Sequence, residues 1–208
     1  MEKNLIRRTA LAVTTGAALL ALTACGSNHG TSGGHGVHGS ASSSAPAPSA
    51  SQGRHNAADV AFAQGMIPHH RQAVEMAGLA SDRAGSAEVE KLAEEIKKAQ
   101  DPEIKTLSGW LTSWGEQVPA AGAMGHSMHD ADGGMMTAEE MDSLKQMSGK
   151  AFDTAFMKMM IKHHEGAVAM AKTQKADGAF PGATAMADAI VTSQTTEIGT
   201  MNSLLGKS

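Results

Sequence analysis

The feature that most limits what this chain can become is an internal repeat. Residues 59–111 align without a gap onto 153–205 at a constant offset of 94, the step from His69 to His163, and eighteen of the 53 positions are identical. The identities reach both ends of the unit: Asp59/Asp153, Phe62/Phe156, Met66/Met160, His69/His163 and His70/His164 in the first part, Gln100/Gln194, Glu103/Glu197 and Leu111/Leu205 in the second. Two unrelated helical segments would not hold register over that length, so the chain carries a duplication. Apolar residues recur at helical spacing with no competing alternation of β-branched residues. Each copy therefore predicts two helices, 57–81 with 87–115 and 150–176 with 183–205. Ala84-Gly85-Ser86 and Asp177-Gly178 interrupt the pattern, and Pro181 stands just before the last helix. A helical hairpin cannot bury its apolar stripe alone, so the two copies are expected to close into an all-α four-helix bundle. Pro68 should kink the first helix near Gln64, whose carbonyl loses its usual partner, and Pro102 raises the same expectation in the second. Between the copies, Thr137-Ala138-Glu139-Glu140 is a capping box that starts a short extra helix to about Met147.

Not all of the 208 residues belong to that domain. Basic residues from Lys3 to Arg8 precede an apolar stretch, Thr9–Ala24, that is too short and too weakly apolar for a permanent membrane span. Leu22-Thr23-Ala24-Cys25 resembles the lipobox of bacterial lipoproteins, in which a small residue precedes a cysteine that is acylated and becomes N-terminal. Residues 1–24 are thus expected to be a lipoprotein signal peptide, and Cys25 the lipid attachment site. That would place the protein on the outer face of the cell membrane, with the membrane as a partner. The alternative is an ordinary signal peptide with an incidental cysteine. Cys25 is the only cysteine, so its lipidation leaves no thiol for disulfides, zinc fingers or cysteine nucleophiles. Residues 25–54, rich in Gly, Ser, Ala and Pro, read as a linker, and 55–208 as the domain. A net charge of −4 gives no reason to expect nucleic-acid binding.

Helical spacing decides which side chains can meet. At about 100° per residue, Phe62, Met66, Ala73 and Ala77 form one stripe of the first helix, with His69 and His70 on either side of it. At least one histidine of the pair must point inward or to the rim. Phe156, Met160, Ala167 and Ala171 repeat the stripe around His163 and His164. Met66 and Met160 stand three and four residues before their histidines, so a thioether and an imidazole share one helical patch in each copy. Histidines satisfied by hydrogen bonds, with methionines as packing, are the structural alternative. In the second helix Gln100 and Glu103 interrupt the stripe of Ile96, Leu107 and Leu111, and Gln194 and Glu197 repeat the interruption. A buried carboxylate needs a partner, and the histidines of the same copy are the nearest in kind. Glu103 and Glu197 would then orient imidazoles from behind or bind metal directly, or the layer is a satisfied structural one.

The segment between the copies adds Met124, His126, Met128 and His129, followed by Met135-Met136. Methionines exposed in a Gly-rich polar loop have no packing reason. Thioether sulfur with imidazole nitrogen is a soft donor set that favours Cu(I), and thioethers need no deprotonation. A loop packed over the bundle is the competing reading.

At these residues the chain resembles the "domain of unknown function 305" family of exported bacterial proteins. The resemblance rests on Met66-Ile67-Pro68-His69-His70 with Ala73-Val74-Glu75-Met76-Ala77, and on Met160-Ile161-Lys162-His163-His164 with Ala167-Val168-Ala169-Met170-Ala171. The later Gln100, Glu103 and Ile104, with Gln194, Glu197 and Ile198, fit the same pattern. It implies a ferritin-like bundle over about 55–208 and an association with copper binding and copper tolerance. The expectation is a Cu(I)-binding lipoprotein that buffers, sequesters or hands on copper to a copper-handling partner, and is not an enzyme. The candidate ligands are Met66, His69, His70, Met160, His163 and His164, with Met124, His126, Met128 and His129 as a capture loop. Gln100, Glu103, Gln194 and Glu197 would stand behind them. A di-metal oxidase is the enzymatic alternative, but the two Glu-x-x-His motifs of that class are absent. A metal-free interaction module is the third reading.

Overall fold

The first helix starts where the sequence offers a reciprocal cap. The Asn56 side chain accepts from the Ala58 and Asp59 amides, and the Asp59 carboxylate accepts from the Asn56 amide. From there the computed structural model, which describes residues 54–121 and 133–206, is helical. Its elements are α1 (Ala57–Gly78), α2 (Ala80–Arg83), α3 (Ala87–Trp114), α4 (Ala138–Gln146), α5 (Gly149–Asp177) and α6 (Pro181–Gly206). The signal peptide, Cys25, the linker as far as Gly53, and Met124, His126, Met128 and His129 lie outside the described residues.

The hairpin reading holds: α1 packs on α3, α5 packs on α6, and the two copies meet along α1 and α5. No strand occurs among the described residues beyond a single bridge between Ala84 and Gly149, and no described helix is long and apolar enough to cross a membrane. Thr137 and Glu140 form the expected capping box of α4. Pro181 is the first residue of α6, where its missing N–H costs nothing. Pro68 does not end α1, which runs unbroken through it to Gly78, and α3 likewise runs through Pro102.

The core is divided in two. One cluster holds Phe62, Met66, Leu107 and Leu111 from the first copy with Ala167, Ala171, Ala183 and Ile190 from the second. The other holds Phe156, Met160 and Met201 from the second copy with Ala73, Ala77, Val89 and Ile96 from the first. Residues related by the repeat offset therefore exchange clusters, as two copies related by a pseudo-twofold axis must. The histidine doublets fall between the two apolar clusters along α1 and α5.

A pair of carboxylates ties the copies together. Asp59 on α1 accepts from the Ala179 and Phe180 amides at 3.1 Å each, just ahead of α6. Its repeat partner Asp153 on α5 accepts from the Gly85 amide and the Ser86 hydroxyl at 2.8 Å each, just ahead of α3. Each aspartate thus holds the turn that leads into the second helix of the other copy.

The segment before α4 is seated on the α1–α5 seam. The Gln72 amide donates to the Met136 carbonyl at 2.8 Å and accepts from the Met136 amide at 2.7 Å. Gly134 has φ +75°, and a Cβ on Gly166 would collide with the Gly133 carbonyl. This corrects the expectation that Met135 and Met136 are exposed: Met136 is buried in the core cluster and Met135 is half-buried. The physical reason is that Gln72 satisfies the Met136 backbone, so its side chain can leave water without orphaning polar groups.

Candidate metal centre

Both histidines of each pair, not one, are buried. His69, His70, His163 and His164 are all 0 % exposed. Four rings on two adjacent helices form one cluster: the His69 and His163 centroids are 3.8 Å apart, and each lies 6.5 Å and 6.3 Å from its own neighbour, His70 and His164.

The carboxylates meet the histidines of their own copy, the nearest partners in kind. Glu103 Oε2 lies 2.6 Å from His70 Nε2, and Glu197 Oε2 lies 2.6 Å from His164 Nε2. Their side chains are 21 % and 19 % exposed, so the layer reaches solvent at both carboxylates rather than being sealed. His69 Nε2 lies 3.0 Å from the Gly133 carbonyl. A carbonyl oxygen only accepts, so this nitrogen carries the proton.

The remaining ring nitrogens have no protein partner. Nδ1 of His69, His70 and His164 and both nitrogens of His163 are buried and unpaired, as are both amide atoms of Gln100 and Oε1 of Gln194. Each such group costs about 1–3 kcal/mol of desolvation, and native cores hold few of them. Five of them belong to the four clustered histidine rings. Burial, with His70 beside it, pushes His69 down to about 3. Burial and then His69 hold His163 well below its ordinary value, while the His69 backbone, outside hydrogen-bond geometry, pulls weakly the other way. Both rings are neutral at pH 7 and so are competent donors.

Among the described residues no three His, Cys, Asp or Glu side chains stand together as a ready metal-holding group. The donors fit a soft metal in kind: imidazoles with an unpaired Nδ1 in each ring and an oxygen against Nε2 in three of them. They are not pre-gathered into a closed hard-metal cage. Met66 and Met160 are fully buried but belong to opposite apolar clusters, one on each side of the histidines. Both side chains pack in the core beside the histidine layer. Gln72, Gly133 and Gly166 carried no site signal in the sequence. At the same repeat position stand Gln72 and Gly166, and that divergence, next to doublets that do not diverge, was the clue available.

The family model described as "Domain of unknown function (DUF305)" matches residues 59–205, the span of the two repeat copies with what joins them. A DUF305 protein of Streptomyces coelicolor, described as secreted, has a similar structure, with 35 % identity, a TM-score of 0.64, and coverage of 72 % of this chain and 93 % of its own. A DUF305 fragment from Deinococcus radiodurans gives 29 % identity and a TM-score of 0.66, covering 74 % and 98 %. CopM in its Cu(I)-bound form gives 32 % identity and a TM-score of 0.60, covering 72 % and 96 %. CopM is also known in Cu(II)-bound and Ag-bound forms. No curated protein matches.

Proposed function

This chain belongs to the DUF305 family, and we propose that within it the protein is an exported, non-enzymatic copper-binding lipoprotein that takes up Cu(I) and holds it or passes it to a copper-handling partner. The observation that carries the reading is the buried layer of four histidines with five unpartnered ring nitrogens, two of the rings held neutral by burial. His69, His70, His163 and His164 would hold the ion, with Met66 and Met160 the nearest thioethers along the same helices. Imidazole and thioether together suit Cu(I) better than a hard divalent ion. The copper and silver forms of CopM support the choice of metal. Export is supported by the relative from Streptomyces described as secreted, and a lipid anchor at Cys25 by the lipobox resemblance alone. The di-metal oxidase reading draws no support from the site, because Glu103 and Glu197 are each engaged by a histidine.

Anaerobic Cu(I) titration against a competing chelator, with Zn(II) in parallel, tests the proposal. The expected result is preference for Cu(I), and loss of at least about tenfold in Cu(I) affinity in the His163→Ala, His164→Ala double variant, which removes two of the donors. Zn(II) binding as tight as Cu(I), or an unchanged double variant, would overturn it.

A further inference from the structure

The two copies keep both histidines but differ two and three positions after the doublets begin. Arg71 and Gln72 of the first copy stand where the second has Glu165 and Gly166. Three of these four residues have a visible use. Arg71 Nη1 donates to the Pro119 and Ala120 carbonyls at 2.8 and 3.0 Å. Gln72 makes its paired bonds to the Met136 backbone. Gly166 leaves the room that the Gly133 carbonyl fills, and a Cβ on Gly134 would stand 2.5 Å from the Lys162 carbonyl. The segment Gly133–Met136 is therefore gripped by α1 on one side and admitted by α5 on the other. Its consequence for the histidine layer is one contact, the Gly133 carbonyl on His69 Nε2 at 3.0 Å.

That contact completes a pattern. Three of the four rings have Nε2 against an oxygen: His70 on Glu103, His164 on Glu197, and His69 on the Gly133 carbonyl. The same three leave Nδ1 unpaired, and His163 alone is held at neither nitrogen. The nitrogen a histidine offers to a metal is set by the hydrogen bond the other nitrogen makes. Metal-binding histidines are commonly oriented in this way by a carboxylate or a backbone carbonyl.

We infer that Gln72 is a positioning residue for the metal layer: by holding Met136 it keeps the Gly133 carbonyl on His69, fixing that ring with its proton on Nε2 and Nδ1 as the donor, while His163 stays free to use either nitrogen. The donor role rests on the copper-binding reading; the fixed tautomer does not. The two copies, alike in their histidines, are thus unequal in how those histidines are held.

Ring-nitrogen NMR of the full metal-free chain, followed by titration with Ag(I) alone, tests this. His69 should show a single Nε2–H form with a slowly exchanging proton, and His163 a mixture of tautomers. In Gln72→Ala, His69 should become a mixture and Ag(I) affinity should fall about tenfold to a hundredfold, while the His70 and His164 signals stay in place and report an intact fold. If Gln72→Ala does not fold, Gly166→Ala displaces the same carbonyl from the other helix and should give the same change. A His69 ring protonated on Nδ1, or a tautomer and an Ag(I) affinity unchanged in the variant, overturns the inference. A fixed His69 tautomer with no ring responding to Ag(I) instead overturns the copper reading, and the donor role with it.

Discussion

His69 and His163 lie against each other with neither ring exposed, so protonating either would put a buried cation beside a neighbouring ring. In the unfolded chain the same imidazoles titrate near 6.5. Their folded values are lower, to about 3 for His69, so below about pH 6.5 the unfolded state binds protons that the folded state refuses. Stability should therefore be fully present at pH 7 and fall as the pH drops below the unfolded value. Between pH 7 and pH 5 the loss is about 2 kcal/mol from His69, with a further loss in the same direction from His163. Denaturant unfolding of the metal-free protein at the two pH values measures it, and His69→Leu should flatten the dependence by close to one proton. Equal stability at pH 7 and pH 5 would contradict the neutral, buried assignment. At this scale the sequence was informative about identity and less so about depth. Both members of each doublet proved buried because α1 and α5 pack on each other as well as on their own hairpin partners. A single-helix stripe shows one inward direction and hides the second.

Among the elements, the starts of α3 and α6 depend on residues from the opposite copy. Asp59 accepts from the Ala179 and Phe180 amides, from Asn56 and from the Gln174 side chain, and Asp153 from Gly85 and Ser86. Burial tends to raise the Asp59 carboxyl, but the hydrogen bonds from Asn56, Gln174, Phe180 and Ala179 outweigh it and hold the group below its ordinary value. Stranding buried donors costs about 1–3 kcal/mol, and Asp59 is also half of the capping box that starts α1, worth about 0.5–2 kcal/mol. Asp59→Ala should therefore cost about 3 kcal/mol and Asp153→Ala about 2 kcal/mol. Both are read as a lowered denaturation midpoint with native helicity retained. The order reversed, or losses within the range of ordinary surface substitutions, would show that these bonds matter less than their geometry implies. The helices themselves were legible, since Ala84-Gly85-Ser86, Asp177-Gly178 and Pro181 mark real interruptions. The aspartates were visible only as repeated identities. Their partners are 68 and 120 residues away, and that pairing exists only once the hairpins close.

Over the whole molecule, the histidine layer separates two apolar clusters that would otherwise form one continuous core. A polar layer with unpaired nitrogens lowers the stability of the metal-free state, and a function at that layer is a reason to retain it. The duplication made this arrangement partly legible, because repeated polar intrusions in two apolar stripes must meet when the stripes do. The seat of Gly133–Met136 was not legible, since nothing in its composition distinguishes a gripped segment from a loop that stays in water. Anchoring, if Cys25 is lipidated, is a separate property of the same chain. Among the described residues α1 to α6 form the bundle. Localisation and metal binding should then separate cleanly. Cys25→Ala should leave the protein unprocessed or released from the membrane fraction, with no incorporation of labelled lipid. Its Cu(I) affinity and melting temperature should match those of the wild-type domain. Unchanged membrane retention and lipid labelling would refute the anchor. A variant that lost its anchor and its Cu(I) affinity together would mean that the N-terminal region takes part in the metal site, and the histidine layer would no longer suffice as its description.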